Sequence, residues 1–162
     1  MHIHGLQWDT STRLPFTPRL QALYVNGRFA SVPHFGRGRV YIDVLGTAPA
    51  KAFWRDIEPG DGTPEGFGHW LDARHAAVGS WGGGYCDRAR LPGMIAAAGR
   101  RPWSLWLATL DTTADPAAIA QLASLPPNVT LVAIQAFGAQ HLGFNADLSV
   151  VLDHDYWAER AA

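Results

Sequence analysis

Two carboxylates stand two residues apart in Asp56-Ile57-Glu58, inside the run Trp54-Arg55-Asp56-Ile57-Glu58-Pro59-Gly60-Asp61. On a strand, residues two apart point the same way. Asp56 and Glu58 would therefore project together, with Ile57 turned into the packing behind them. Two carboxylates on one face cannot both ionise cheaply, so their pKa values separate. One stays charged and the other can hold a proton to donate, the division of labour that cleavage of a glycosidic bond requires. The acid role predicts that Glu58 is the less solvated of the two and has the more raised pKa, unless Arg55 pairs with it. Read structurally, the same acids precede a helix and favour its dipole.

These residues need a frame. The chain has 162 residues, enough for one domain, and 48% hydrophobic residues, enough for a core. Fourteen acids against thirteen Lys and Arg exclude the basic excess of a generic nucleic-acid binder. A single cysteine, Cys86, excludes an internal disulfide and a cysteine zinc cage; on an apolar strand it reads as an inert core thiol. The N-terminus lacks the pattern of a signal peptide, and no apolar run approaches the length of a spanning helix. The expectation is a protein that is cytoplasmic as synthesised and reaches a virion or the outside by lysis, with no membrane partner.

Residues 1–18 read as an arm, and 19–162 as one domain. Strands are predicted at Leu23–Val25, Val40–Leu45, Phe53–Ile57, Trp81–Cys86, Trp103–Thr109, Val129–Ala136 and Leu148–Leu152. Several are continuous apolar runs, as in strands covered on both faces, which favours a parallel sheet. Helices are predicted at Pro64–Ala77, with Thr63 as N-cap, at Ala89–Ala98 closed by Gly99, and at Pro116–Ser124 closed by Pro126 and Pro127. This alternation implies an α/β domain with a mainly parallel sheet, a compact, irregular or incomplete (β/α) TIM-like barrel. In such folds sites lie at the carboxyl ends of strands, which adds Asp43 to the candidates. The first third offers only loops between Asn26 and Val40 and between Gly46 and Phe53. Strand surface left uncovered there calls for a shield, a virion or surface protein or a second copy in a homo-oligomer.

Weaker groupings read as structure. His2 and His4 form a terminal H-x-H. Asp153-His154-Asp155 reads as a solvated turn, and the glycines from Gly79 to Gly84 as a loop and strand entry. No metal and no cofactor is implied. Of the tryptophans, some could stack on sugars, but most must be core.

Five motifs run in one order: Asp56-Ile57-Glu58, Gly84-Tyr85-Cys86, Leu105-Trp106-Leu107-Ala108, Ala133-Ile134-Gln135-Ala136 and Asp147-Leu148-Ser149-Val150. Over roughly Phe53 to Asp153 the chain resembles the glycoside hydrolase family 25 lysozymes and the related lysozyme-like domains of actinobacteria and their phages. Those show a D-x-E strand, an I-Y strand, an L-W-I-A strand, an I-W-Q-Y strand and a late V-D strand on an irregular (β/α) barrel. They open with a G-x-D-x-S strand, and Asn26-Gly27 stands at the comparable place here. The Gln motif lacks the usual Trp and Tyr. The resemblance implies that Glu58 is the general acid, that Asp56 and Asp147 polarise the substrate acetamido group or the developing charge, and that Asn26, Asp43, Tyr85, Trp106 and Gln135 contact substrate. Two functions follow: a lysozyme-like hydrolase of cell-wall polysaccharide (peptidoglycan), or an inactive glycan-binding or structural module of a phage virion or bacterial surface.

Overall fold

The computed structural model describes residues 3–10, 14–31, 34–109, 124–137 and 146–161. Eight strands close into a barrel in chain order: β1 (Gly5–Thr10), β2 (Leu20–Tyr24), β3 (Gly38–Asp43), β4 (Trp54–Ile57), β5 (Gly83–Asp87), β6 (Trp103–Ala108), β7 (Val129–Phe137) and β8 (Ala146–Val151). Neighbours from β1 through β7 pair in parallel, whereas β8 runs antiparallel to both β7 and β1. The sheet is thus mixed, where a mainly parallel one was expected. Apolar runs report burial on both faces and say nothing about direction, and β8 closes the barrel from the opposite sense.

Gly5–Thr10, inside the stretch read as an arm, is the first barrel strand. Its alternation is inverted. Gln7 and Asp9 face inward, Gln7 fully buried and reached by Tyr156 from inside, while Leu6 faces solvent. A strand with polar residues inside does not read as a strand.

Two apolar layers follow from the alternation. Inside the barrel pack Leu20, Ala22, Val40, Ile42, Trp54, Trp106, Ala133 and Val151. Outside it, Ile57, Cys86, Leu105 and Leu107 meet Phe67, Trp70, Leu71, Leu91 and Met94 from the helices. Those helices are α1 (Phe67–Val78), entered by a 3-10 turn at Pro64–Gly66, and α2 (Leu91–Ala98). Thr63 occupies the N-cap of that turn without making a side-chain cap bond. Close approach explains the glycines of β5: a Cβ at Gly83 would lie 2.3 Å from the Trp54 ring, and one at Gly84 would lie 2.1 Å from Met94 Cε. The helix predicted at Pro116–Ser124 lies, except for Ser124, outside the described residues, as does His2.

Asp153-His154-Asp155, expected as a turn, opens α3 (His154–Ala161). Asp153 Oδ1 accepts the backbone N–H of Tyr156 at 2.7 Å, capping the helix. The helix plugs the barrel at the end where β1 starts and β8 finishes. Tyr156 donates to Gln7 Oε1 at 2.5 Å and accepts the Trp54 indole N–H at 2.9 Å. Among the described residues no helix is long and apolar enough to cross a membrane.

The first third has no helix among the described residues, as expected. β3 and β4 are parallel neighbours joined by only residues 44–53, shorter than an ordinary crossover. Side chains replace the missing helix as partners for the loop backbone. Asp43 accepts the N–H groups of Gly46 at 2.7 Å and Ala48 at 2.8 Å, and the Trp70 indole at 2.8 Å. Asn26 Oδ1 accepts the N–H groups of Val44 at 2.8 Å and Leu45 at 3.1 Å. Arg55 donates to the carbonyls of Asp43, Val44 and Asp56.

Candidate active site

The carboxyl ends of the parallel strands form one mouth. Since β8 runs the other way, its first residues lie there too. Asp9 and Asp147 are direct partners in the β1–β8 register. Asp56 is level with Tyr85 in the β4–β5 register. Glu58 follows the last residue of β4, one step above Asp56, while Ile57 between them packs into the outer layer. That alternation agrees with the sequence expectation. Gly60, at φ 89°, turns the chain back, and Asp61 donates its N–H to the Glu58 carbonyl at 3.1 Å. Asp61 thereby joins the carboxylate group.

Asp9 was missed because Asn26-Gly27 was set against the opening motif of the lysozyme-like strand. The usable signal was Asp9-Thr10-Ser11, which matches the D-x-S part of that motif. The Asp9 carboxylate accepts the Tyr24 hydroxyl at 2.5 Å, and the Tyr85 hydroxyl hydrogen-bonds Glu58.

The environment raises every pKa in the cluster whose shift is resolved. Burial pushes Asp9 up to about 7; the Tyr24 bond opposes this, and the charges of Asp147 and Glu58 add to it. Burial also pushes Asp56 up to about 8, helped by Glu58, Asp61 and Asp9 and opposed by Arg55. Glu58 is raised by burial, against its Tyr85 bond, with Asp61, Asp87 and Asp147 adding like charge. The expected order is reversed: Asp56 is 3% exposed and has the larger rise, whereas Glu58 sits half-buried at the lip. Depth along β4 causes this. Arg55, facing outward, spends its guanidinium on backbone carbonyls rather than on Glu58.

Of the other expected contacts with substrate, Tyr85 is at the mouth, Asp43 and Asn26 belong to the loop behind it, and Trp106 and Gln135 are buried. Asp43 faces the outer layer; burial disfavours its charge, but bonds from Asn26, Trp70 and the loop backbone outweigh this and hold its pKa low. Asn26 is the other half of that loop clamp, donating to Asp43 Oδ1 at 2.7 Å. Trp106 is 1% exposed in the barrel interior, with its indole N–H on Ser149 Oγ at 2.8 Å. Gln135, 2% exposed, lies level with Ala108. Tyr85 lies beside the carboxylates, edge-on to Trp106 at 4.8 Å. Cys86 is buried in the outer layer, and burial pushes its thiol far above the ordinary range, as an inert thiol requires.

Open space begins above Asp56. A pocket of about 50 Å³ is lined by Tyr24, Arg28, Phe29, Val44, Asp56, Glu58 and Asp61. A groove of about 470 Å³ continues from Glu58 and Asp61 past Pro59 and Thr63 to Arg90. Glu58 therefore stands where pocket and groove meet, with Tyr24 and Phe29 supplying the aromatic rim. Arg90 itself is paired with Asp87.

The sequence suggested no metal ligands, yet carboxylate oxygens of Asp56, Glu58 and Asp61 lie within 4.8 Å of one another, the one such group among the described residues. The arrangement can donate a proton at the lip, hold negative charge across the mouth and coordinate a hard cation. Compared with protein-family models, curated proteins and solved structures, the chain matches none, so the functional reading stands on the barrel and its carboxylates.

Proposed function

We propose that the protein is a lysozyme-like glycoside hydrolase acting on bacterial cell-wall polysaccharide. The observation that carries this reading is the convergence of Asp9, Asp56, Glu58 and Asp147, from three separate strands and the start of the loop after β4, on one mouth of the barrel. Glu58 borders both pocket and groove, where the oxygen of a bound glycosidic link would lie, and acts as general acid. Asp147 and Asp9, side by side on β8 and β1, face that position with carboxylates suited to the positive character that develops at the sugar. Asp56, deeper on β4, polarises the acetamido group. Tyr85 orients Glu58, and Tyr24 orients Asp9. The groove, open and of mixed polarity, takes the flanking sugars.

A second reading, an inactive glycan-binding or structural module, is favoured by the size of the pocket. About 50 Å³ accommodates a few water molecules, so the described part of the mouth is tight for a sugar ring. Exposed Leu6, Phe16 and Leu45, on β1 and the helix-free loops, would then contact a virion or surface protein or a second copy.

Clearing of a peptidoglycan suspension by wild type and by Glu58→Gln decides between them. Active wild type and an inactive variant at least as stable support the hydrolase. Wild type inert between pH of about 4 and 8 supports the module.

A further inference from the structure

We propose that Asp56, Glu58 and Asp61 form a binding site for a hard divalent cation of the calcium class at the lip of the barrel mouth. Three features support this. The first is convergence: Asp56 on β4 and Glu58 just beyond its end share one face, and the turn at Gly60 brings Asp61 back to them, so that an oxygen from each lies within 4.8 Å of the others. On one ion with Ca–O distances of about 2.3–2.6 Å, two oxygens lie at most about 4.6–5.2 Å apart. Magnesium, at about 2.0–2.1 Å, needs them closer and in stricter geometry. An all-oxygen donor set excludes soft metals as the preferred occupant.

The second feature is independent of the spacing. Asp56 is 3% exposed, and its Oδ1 has no hydrogen-bond partner while lining the pocket that Glu58 and Asp61 share. A buried acceptor without a donor costs stability. Of the groups that share the pocket, Tyr24 donates to Asp9, whereas Glu58 and Asp61 are acceptors like Asp56, so a cation satisfies all three carboxylates at once. The third feature is charge. Arg55, the nearest guanidinium in sequence, is turned to the carbonyls of Asp43, Val44 and Asp56, and Arg28, which lines the same pocket, lies over the Phe29 ring at 4.6 Å. The groove leading past Pro59 and Gly60 gives a hydrated ion a way in, and water can complete the coordination.

The site needs no glycan, so it is separable from the hydrolase reading. If both hold, the cation keeps Glu58 ionised and occupies the place of the substrate, making calcium an inhibitor of clearing.

The test is calorimetric titration of the chelator-treated full chain with CaCl₂, alongside MgCl₂. The expected result is one saturable calcium site, weaker for magnesium, whose affinity falls on the order of tenfold or more in Asp61→Asn and is unchanged in the distant surface variant Asp72→Asn. Absence of saturable calcium binding up to about 10 mM, beyond the weakest ordinary protein sites, overturns the proposal. So does binding that Asp61→Asn leaves intact. Should Asp61→Asn fail to fold, Mn²⁺ added to wild type decides: paramagnetic broadening must first erase the amide signals of Asp56, Glu58 and Asp61, and broadening centred on other acids overturns the site. Calcium binding by a protein that never clears peptidoglycan removes the hydrolase reading alone; clearing without calcium binding removes this one alone.

Discussion

Replacing Asp9 by Asn should stabilise the protein at neutral pH and leave its stability near pH 4 almost unchanged. Asp9 is partly buried, accepts the Tyr24 hydroxyl and lies opposite Asp147. Its folded pKa is about 7 against an ordinary 3.8. The folded chain therefore keeps a proton that the unfolded chain has already released between those values. With more protons bound in the folded state, stability falls as pH rises across that window and is flat outside it. About three pH units at 1.36 kcal/mol each set a ceiling near 4 kcal/mol. Partial exposure, and the sharing of charge with Asp147, reduce this to about 1–3 kcal/mol. Asn keeps an oxygen for Tyr24 and has no charge to bury. For a chain of this size the gain is worth roughly 2–4 °C of Tm per kcal/mol. Urea unfolding of both proteins at pH of about 4, 5.5 and 7.5, in chelator-containing buffer, checks it. A stability difference that is the same at all three, or an Asp9→Asn protein less stable at the highest, refutes the reasoning.

Glu58→Gln should reduce peptidoglycan clearing by about 10²–10⁴-fold without lowering Tm, since it removes a carboxyl whose pKa burial raises, and Asp147→Asn should also lose rate; both are read by turbidity alongside thermal melting. Asn26→Ala removes the clamp on Val44, Leu45 and Asp43 and should cost about 1–3 kcal/mol in urea unfolding, acting on stability rather than directly on glycan binding. Tyr156→Phe strands the Trp54 indole and loses the bond to Gln7 at the closed end of the barrel. Its expected cost, about 1–3 kcal/mol, should come with clearing unchanged once folded, because the helix that carries it lies at the end opposite the carboxylates.

What could be read from the chain divides along the two faces of its strands. The strand run from Val40 to Leu152 was legible because outward residues such as Ile57, Leu105 and Leu107 pack under helices and inward ones such as Trp54 and Trp106 fill the barrel. Continuous apolarity records this. The D-x-E pair was legible because Ile57 marks the outward face between two inward acids. β1 escaped for the converse reason: Gln7 and Asp9 point inward, and the pattern resembles an irregular lead. Asp43 was placed in the site by its position at a strand end and Asn26 by its match to the opening lysozyme-like strand, but neither tells which face a side chain takes. Alternation from Val40, Ile42 and Val44, all inward, already puts Asp43 outside. The ranking of Asp56 and Glu58 failed because sequence spacing carries no depth.

The distribution of polar groups makes the mouth more than a by-product of folding. At the closed end Gln7 Oε1, the Tyr156 hydroxyl and the Trp54 indole N–H form one chain of hydrogen bonds, with Gln7 Nε2 left unpartnered, and the helix that brings Tyr156 also covers them. At the open end Asp9, Asp56 and Glu58 all have raised pKa values, Asp56 keeps an oxygen without a donor, and Arg55 is engaged by loop carbonyls. Each of these raises the free energy of the folded state, and packing alone would favour Leu or Val on the same strands. Buried polar atoms without partners occur elsewhere too, at Gln7 Nε2, Trp103 Nε1 and Gln135 Oε1, but among the described residues only at the mouth do they coincide with a cluster of carboxylates whose pKa values are raised, the pattern expected where local stability is given up for a site. The loop clamp of Asn26, Asp43 and Arg55, rich in bonds and lying just behind the carboxylates, offsets part of that cost and holds β3 against β4 where no helix does so.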